Sequence, residues 1–426
     1  MDTNQKRHLK LNSLNTSKIR FLKRNFFIVS ALVLLFYLGG DVVAQSAELL
    51  GTFTENKRRF YFPDSTISQM DHIASTRLDD AIRPSSWPAR IPFSACIDES
   101  SQSVYYLRFR SFLDAKLVQL PNPGFKSIRD LDLSSDGTFY IVDSGQNSLF
   151  IFKLDDSLTP KLYKKLDIPP HIFRIYVSRT KQIFLLTTTN KVIVFNKFFH
   201  RVHSIENAMS KDLSTHTVKD ITIIRHQTPV VLTQSHIIKY TPAGQAQTAF
   251  PIDQSFSRIA HSVHHDLFCL NPESRTISKF NSALVFLDTI DLTNEFKSPP
   301  NDITIHESFG FLFVNSQHFA SYYGLKSDIK HIKVKNIRDN KGKSLTRIGF
   351  TVTFPSKIWI TILDTQNQII RTLMKGEKLY SDRYNVVWDG KDQIGKKRYG
   401  QHKVQIRGEG LYSLTNIVKK DALFTP

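Results

Sequence analysis

Between residues 127 and 155 the order of apolar and polar positions spells three short strands and two turns. Leu131 and Leu133 alternate with polar neighbours, residues 139–142 form an unbroken apolar run, and Leu149, Ile151 and Leu154 lead away. Alternation predicts a strand with one covered face, and the unbroken run predicts a strand covered on both. Asp136-Gly137 marks the first turn, because Gly137 can take the positive φ of a tight hairpin. Residues 145–147 mark the second.

The unit repeats. Its apolar run recurs at residues 104–107, 139–142, 183–186, 230–233, 267–270 and 311–314, at intervals of 35, 44, 47, 37 and 44 residues. A shorter apolar strand begins eight or nine residues before each run, at 95–97, 131–133, 175–177, 221–223, 259–261 and 303–305. A third strand ends on an aromatic in five units, at Phe152, Phe195, Tyr240, Phe280 and Tyr323. Such aromatics fill the wedge between neighbouring sheets and are read as core. Outer strands are expected at residues 161–166 and 284–290. A period of 35–47 residues with fixed internal spacing predicts an all-β, six-bladed β-propeller. Residues 49–62 alternate like a strand and could close the ring from the amino terminus. Residues 63–90 read as a connection.

The 139–145 core Phe-Tyr-Ile-Val-Asp-Ser-Gly, with the Asp136-Gly137 turn, resembles a blade of the NHL-type, TolB-like six-bladed propellers. That resemblance implies the same fold for residues 91–332.

After Leu325 the pattern changes. Residues 326–343 are rich in Lys, Arg, Asp and Asn; residues 329–334 read as the last outer strand, followed by an exposed loop. Strongly alternating strands follow at 347–354, 357–363, 368–374, 383–388 and 403–407, which suits a small β-sandwich. Residues 333–408 resemble the immunoglobulin-like (FlgD-type) domain of the flagellar hook-capping protein. The match lies in the strand-turn-strand 360–373 and in Trp388-Asp389-Gly390-x-Asp392-x-x-Gly395. Trp388 would anchor a strand in the core, with Asp389-Gly390 and Asp392 making turns; Gly395 completes the signature. Where that family places an aromatic two residues after Gly400, this chain has His402. The resemblance implies a structural or docking module with no catalytic residues. Residues 409–426 read as a tail.

The amino terminus carries seven Lys/Arg and two acids in 44 residues, with an apolar run at 26–40 and Val42-x-Ala44 beyond it. This order predicts a signal peptide cleaved after Ala44, or an uncleaved anchor. Either would put residues 45–90, the closing strand and linker, and everything after them outside the cytoplasm: periplasmic, cell-surface or secreted. The net charge of +19 is scattered. It does not point to nucleic acid, and membrane contact is expected only through the amino-terminal segment if uncleaved. Cys96 and Cys269 fall in different blades and read as buried thiols.

For chemistry, one position recurs. The residue before the first apolar strand of five units is Asp130, Arg174, Asp220, Arg258 and Asp302. At one level around a channel these form a charged annulus, able to bind an anionic or sugar ligand, to hold a divalent cation through its carboxylates, or simply to pair between blades. His261, His264, His265 and Asp266 lie close together but in a turn. No Gly-x-Ser-x-Gly, His-Glu-x-x-His, Walker or Cys-x-x-Cys pattern occurs. No cofactor or catalytic residue is assigned. The expectation is a non-enzymatic binding or scaffold protein of the bacterial envelope, whose partner is an envelope or surface protein or an extracellular ligand. The alternative is a metal-dependent propeller hydrolase or lyase with its site at the channel mouth.

Overall fold

The computed structural model describes residues 50–54, 57–61, 71–75, 94–111, 114–155, 157, 159–262, 264–294, 299–306, 310–314, 318–322, 327–411 and 417–425. The apolar run at 26–40 and the Ala44 site lie outside the described residues, as does Tyr323. No helix among the described residues is long and apolar enough to cross a membrane.

The fold is all-β and propeller-like. Six antiparallel sheets follow one another along residues 50–322. Their first strands are His72–Ser75, Ile128–Leu133, Ile172–Val177, Val218–Ile224, Arg258–His261 and Asp302–His306. Each first strand lies against that of the next sheet, and the sixth lies against the first, so the strands form a closed cycle. In five of the sheets the second strand is buried along its whole length: Ser94–Asp98, Phe139–Asp143, Ile183–Thr187, Thr228–Thr233 and Leu267–Asn271. Neighbouring sheets cover both its faces, which explains the unbroken apolar runs. Outermost strands such as Pro160–Asp167 and Ala246–Pro251 are largely exposed and polar.

The cores sit between sheets. Leu131, Leu133 and Phe152 pack with Ala74, Ile97 and Tyr106 between the first and second. Phe195, Tyr240 and Phe280 are buried in three further clusters of the same kind. Cys96 and Cys269 are free and buried.

The first sheet differs from the sequence reading. Its order is His72–Ser75, Ser94–Asp98, Ser103–Ser111, Asp114–Gln119. Residues 95–97 are therefore in the second strand, not the first, and residues 104–107 are in the third. The innermost strand lies inside the stretch read as a connection. With only Ile73 and Ala74 as apolar residues, it carries too little periodicity to stand out. The corrected register removes the short first interval.

The third sheet has three strands among the described residues. Where its neighbours carry a fourth strand, it carries the helix His203–Leu213. Glu206, Met209 and Leu213 are its buried residues. Glu206 Oε1 accepts the Val194 N–H at 3.0 Å, taking the bond an outer strand would have made to Val192–Phe195. Arg201 neutralises that carboxylate at 2.8 Å.

In the sixth sheet the outer positions are filled from the amino terminus: Lys57–Tyr61 pairs with His318–Tyr322, and Leu50–Thr54 pairs with Lys57–Tyr61.

Residues 329–424 form two further sheets. One runs Ile329–Arg338, Ser344–Val352, Asp382–Trp388; the other runs Ile369–Leu379, Ser356–Leu363, His402–Gly410, Ile417–Phe424. They share a core of Ile348, Phe350, Ile360, Trp388, Val404 and Ile406, among others. Ile329–Arg338 is thus not an outer strand of the preceding sheets; its full length pairs with Ser344–Val352. The stretch 409–426 is no tail either, since Ile417–Phe424 is an edge strand held to His402–Gly410. Both were misread because charged residues alternate with few apolar ones on a strand exposed along one side.

Candidate functional site

The five recurring charged residues meet at one level around the cycle, and a sixth joins them. The second-strand residues opposite the ring are Ile97, Val142, Leu186, Leu232, Leu270 and Val314, and they pair with His72, Asp130, Arg174, Asp220, Arg258 and Asp302. The ring therefore alternates basic and acidic groups through all six positions. Sequence reasoning missed His72 because its strand went unrecognised. The signal was present: His72-Ile73-Ala74 repeats the polar-Ile-Ala order of Arg258-Ile259-Ala260.

Each aspartate reaches into the next sheet. Asp130 Oδ2 accepts the Ile175 N–H at 2.8 Å, Asp220 Oδ2 accepts Ile259 N–H at 2.9 Å, and Asp302 Oδ2 accepts Ile73 N–H at 3.3 Å. The three bonds tie the sheets in pairs, with the same geometry repeated three times. Asp220 and Asp302 also accept the N–H of the residue that follows them, at 2.8 and 2.7 Å.

The basic members differ. Arg258 Nε donates to Asp302 Oδ1 at 2.8 Å, and its Nη2 lies 2.9 Å from His72 Nδ1. His72 Nε2 lies 3.1 Å from Glu99 Oε1, and its Nδ1 lies 3.4 Å from Asp302 Oδ2. Without a proton Nδ1 accepts from Arg258; with one it donates to Asp302. Burial lowers the His72 pKa, but the Asp302 and Glu99 carboxylates outweigh it and the value lies above the ordinary one. Burial likewise opposes ionisation of Asp302, yet Arg258 and His72 bring it down to about 2. At Asp220 burial wins and raises the value to about 6 against the pull of Arg258 and Arg174. Arg174 makes no such pair. Its Nη1 donates to its neighbour's carbonyl, Phe173 O, at 2.8 Å, and its Nε is buried without a partner.

The channel below is narrow, about 60 Å³, and Asp130, Arg174, Asp220, Arg258 and Asp302 line it together with Tyr176, Thr222 and His261. His261 Nδ1 lies 2.7 Å from Thr222 Oγ1. Asp266 does not join the histidines; it faces the carboxyl-terminal sheets. Among the described residues one group could gather a cation: ligand atoms of His72, Asp130 and Asp302 lie within 4.8 Å of one another. The Arg258 guanidinium touches two of these three side chains. It supplies the positive charge a metal would bring and repels a second one.

A second polar cluster lies where the two-layered sheets meet the fifth sheet. Lys279 Nζ sits 2.9 Å from Asp266 Oδ2 and 3.1 Å from the ring centroid of Phe354, and it donates to Thr353 O. Ser381 Oγ donates to Asp266 Oδ2 at 2.6 Å. Phe354 stacks on Phe268 at 6.0 Å within the core between the fifth and sixth sheets. Around this centre Asn281 donates to Asp382 at 3.2 Å, Lys330 pairs with Asp288 at 2.7 Å, and Arg383 donates to Phe286 O at 3.0 Å.

The Trp388 motif is built as its residues suggest. Trp388 is buried and its Nε1 donates to Lys391 O at 2.8 Å. Asp389 Oδ1 accepts the Lys391 N–H at 3.1 Å across Gly390. Asp392 Oδ1 accepts from Ile394 and Lys396 N–H, closing a turn whose Gly395 has φ +86°. In the second sheet Gly137 N–H donates to Ser134 O at 2.9 Å.

Fold and site together define an all-β, propeller-like protein with a charged ring lining its channel. No protein-family model matches the chain, and no curated protein matches it. Among solved structures it is similar to a virginiamycin B lyase from Staphylococcus aureus, with 12% identity over 78% of this chain and 98% of that one, at a TM-score of 0.41. It is also similar to PorZ, a bacterial surface component of the type-IX secretion system of Porphyromonas gingivalis, with 9% identity, 91% and 59% coverage, and a TM-score of 0.44. A third is the extracellular domain of the one-component system BT4673 from B. thetaiotaomicron, with 11% identity, 88% and 54% coverage, and a TM-score of 0.39.

Proposed function

We propose that this chain is an exported scaffold or binding protein of the bacterial cell envelope. Residues 50–322 make a six-bladed, NHL-type propeller, closed by the strands at 50–61. The domain that follows is immunoglobulin-like, of the hook-capping type, and extends through residue 424. The observation that carries the scaffold reading is the buried Lys279–Asp266–Ser381 cluster with Phe354. It joins the two parts as one body, so that loops of both are held in fixed relation, which is what a docking platform needs. The ring charges support the same reading, because their carboxylates are occupied by backbone N–H groups and by Arg258. Export is supported by the basic, apolar, then Val42-x-Ala44 order of the first 44 residues.

The test is crosslinking of the full chain in envelope fractions, followed by identification of what is captured. One discrete partner should be retained, and Lys279→Met should reduce its capture severalfold. Capture indifferent to Lys279→Met, or turnover of a substrate that depends on the ring residues, would overturn the reading. The alternative, a metal-dependent hydrolase or lyase at the channel mouth, draws on the His72, Asp130 and Asp302 grouping. One stoichiometric divalent ion in the dialysed protein, lost on Asp130→Asn, would bring that alternative forward.

A further inference from the structure

A cavity of about 540 Å³ opens beside the ring, bounded by the first three sheets. Its walls are the turns that join second to third strands, with Glu99 and Ser144, and the segments that enter the first strands, with Arg129, Phe173 and Arg174. The size suits a small molecule.

Its charge is set by two guanidinium groups that lack full partners. Arg174 borders both this cavity and the channel. Arg258, at the same ring position two sheets on, gives its Nε to Asp302. The corresponding carboxylate for Arg174 is Asp220, but Arg174 turns its Nη1 to Phe173 O instead. Its Nε is buried and unpartnered. Arg129 is held loosely, with Nη1 3.8 Å from Glu99 Oε2 and Nε 3.4 Å from Ser144 Oγ. Distances of that length make weak hydrogen bonds. Glu99, the one carboxylate in the wall, is matched by His72 at 3.1 Å. Both arginines line the cavity together with Glu99 and act electrostatically on it. A similar cavity of about 520 Å³ opens farther round the cycle, beside Gln234 and Asp253; no Lys or Arg lines it.

We infer that the first cavity binds a small organic oxyanion, a carboxylate or phosphate group on a body about the size of one sugar ring. The anion bridges Arg174 and Arg129, and the body rests against Phe173. Arginine suits this task because its planar fork meets two oxygens of a carboxylate or phosphate at once. The inference deepens the binding reading above. The two fail separately, since capture is tested at Lys279 and the anion at Arg129.

The experiment titrates the purified full chain with glucuronate, glucose 6-phosphate and glucose at constant ionic strength, by calorimetry. Saturable binding of at least one anion and none of glucose is expected, and which anion binds tells carboxylate from phosphate. Arg129→Gln should weaken binding by on the order of tenfold, as expected for one charge-assisted hydrogen bond. Arg174→Gln should weaken it further, while Arg338→Gln in the carboxyl-terminal sheets should leave it unchanged. Arg129 is exposed, so its variant decides the matter even if Arg174→Gln fails to fold. Absence of saturation by both anions, equal binding of glucose, or indifference to Arg129→Gln would overturn the inference.

Discussion

Lys279 and Asp266 form an ion pair at 2.9 Å with both side chains almost fully buried. Burial dominates at both ends: it lowers the lysine to about 8 and raises the aspartate. Removing one partner strands the other in a dry site, which costs about 3–5 kcal/mol, whereas replacing both can be neutral. Lys279→Met should therefore destabilise strongly, and the double variant Lys279→Met with Asp266→Asn should recover most of the loss. Denaturant midpoints of the three proteins measure this. A double variant as unstable as the single would show that the pair itself, not the stranded charge, supplies the stability.

Two ring aspartates should respond to pH in opposite senses. Asp302 titrates at about 2, below the ordinary 3.8, so its contribution is present above pH 4 and is lost as pH falls toward 2. Asp302→Asn should cost roughly 2 kcal/mol at neutral pH, with the penalty shrinking in acid. Asp220 titrates at about 6, above 3.8, so its contribution is present below pH 4 and is lost as pH rises through 6. Asp220→Asn should remove that decline, making the stability profile between pH 4 and 6 flatter than in the natural chain. Unfolding curves at pH 3, 5 and 7 distinguish the two.

His402 is buried against Trp388 and Phe424, with ring centroids 5.2 and 6.0 Å away, and neither ring nitrogen has a partner. It serves as an aromatic filler with two unsatisfied polar atoms. His402→Phe should stabilise the domain by about 1–2 kcal/mol. Burial also holds its pKa below the ordinary 6.5. The natural chain thus loses stability as pH falls below 6.5 and the phenylalanine variant does not, so the gain should widen in acid. Thermal midpoints at pH 5 and 7 report both effects.

Gly244 stands at φ +85° in the turn facing the helix His203–Leu213, where an added Cβ would lie 2.8 Å from Ile205 O and 3.0 Å from Met209 Cγ. Gly244→Ala should cost about 1–3 kcal/mol from backbone strain and the clash. Amide exchange should quicken in the helix before it does elsewhere. Uniform loss of protection would mean that the helix is not a local unit.

The repeats were legible because a strand covered on both faces has to be apolar throughout, as residues 139–142 and 183–186 are. Five of the six ring positions were legible as well, since one charged residue precedes the short strand in five units. Three elements escaped. His72–Ser75 has two apolar residues in a polar setting, so no periodicity marks it. Ile417–Phe424 lies on an edge with Lys419, Lys420 and Asp421 facing outward, and reads as a tail. The helix His203–Leu213 shows its role only through Glu206, whose bond to Val194 is a tertiary fact. The unpartnered Nε of Arg174 was also beyond reach. It depends on the guanidinium turning toward Phe173 O in the folded ring, and composition does not record that.

The pairing of Lys57–Tyr61 with His318–Tyr322 has a consequence for synthesis. The hairpin of Leu50–Thr54 and Lys57–Tyr61 leaves the ribosome long before residue 318 and must wait, with one edge unpaired, until nearly the whole cycle has been made. Long-range closure of this kind is slow. An exposed strand edge is meanwhile open to wrong partners. The chain therefore has reason to be kept unfolded or chaperoned until residue 322 has emerged. A nascent chain stalled before that point should remain protease-sensitive at its front end, however well its middle sheets have formed.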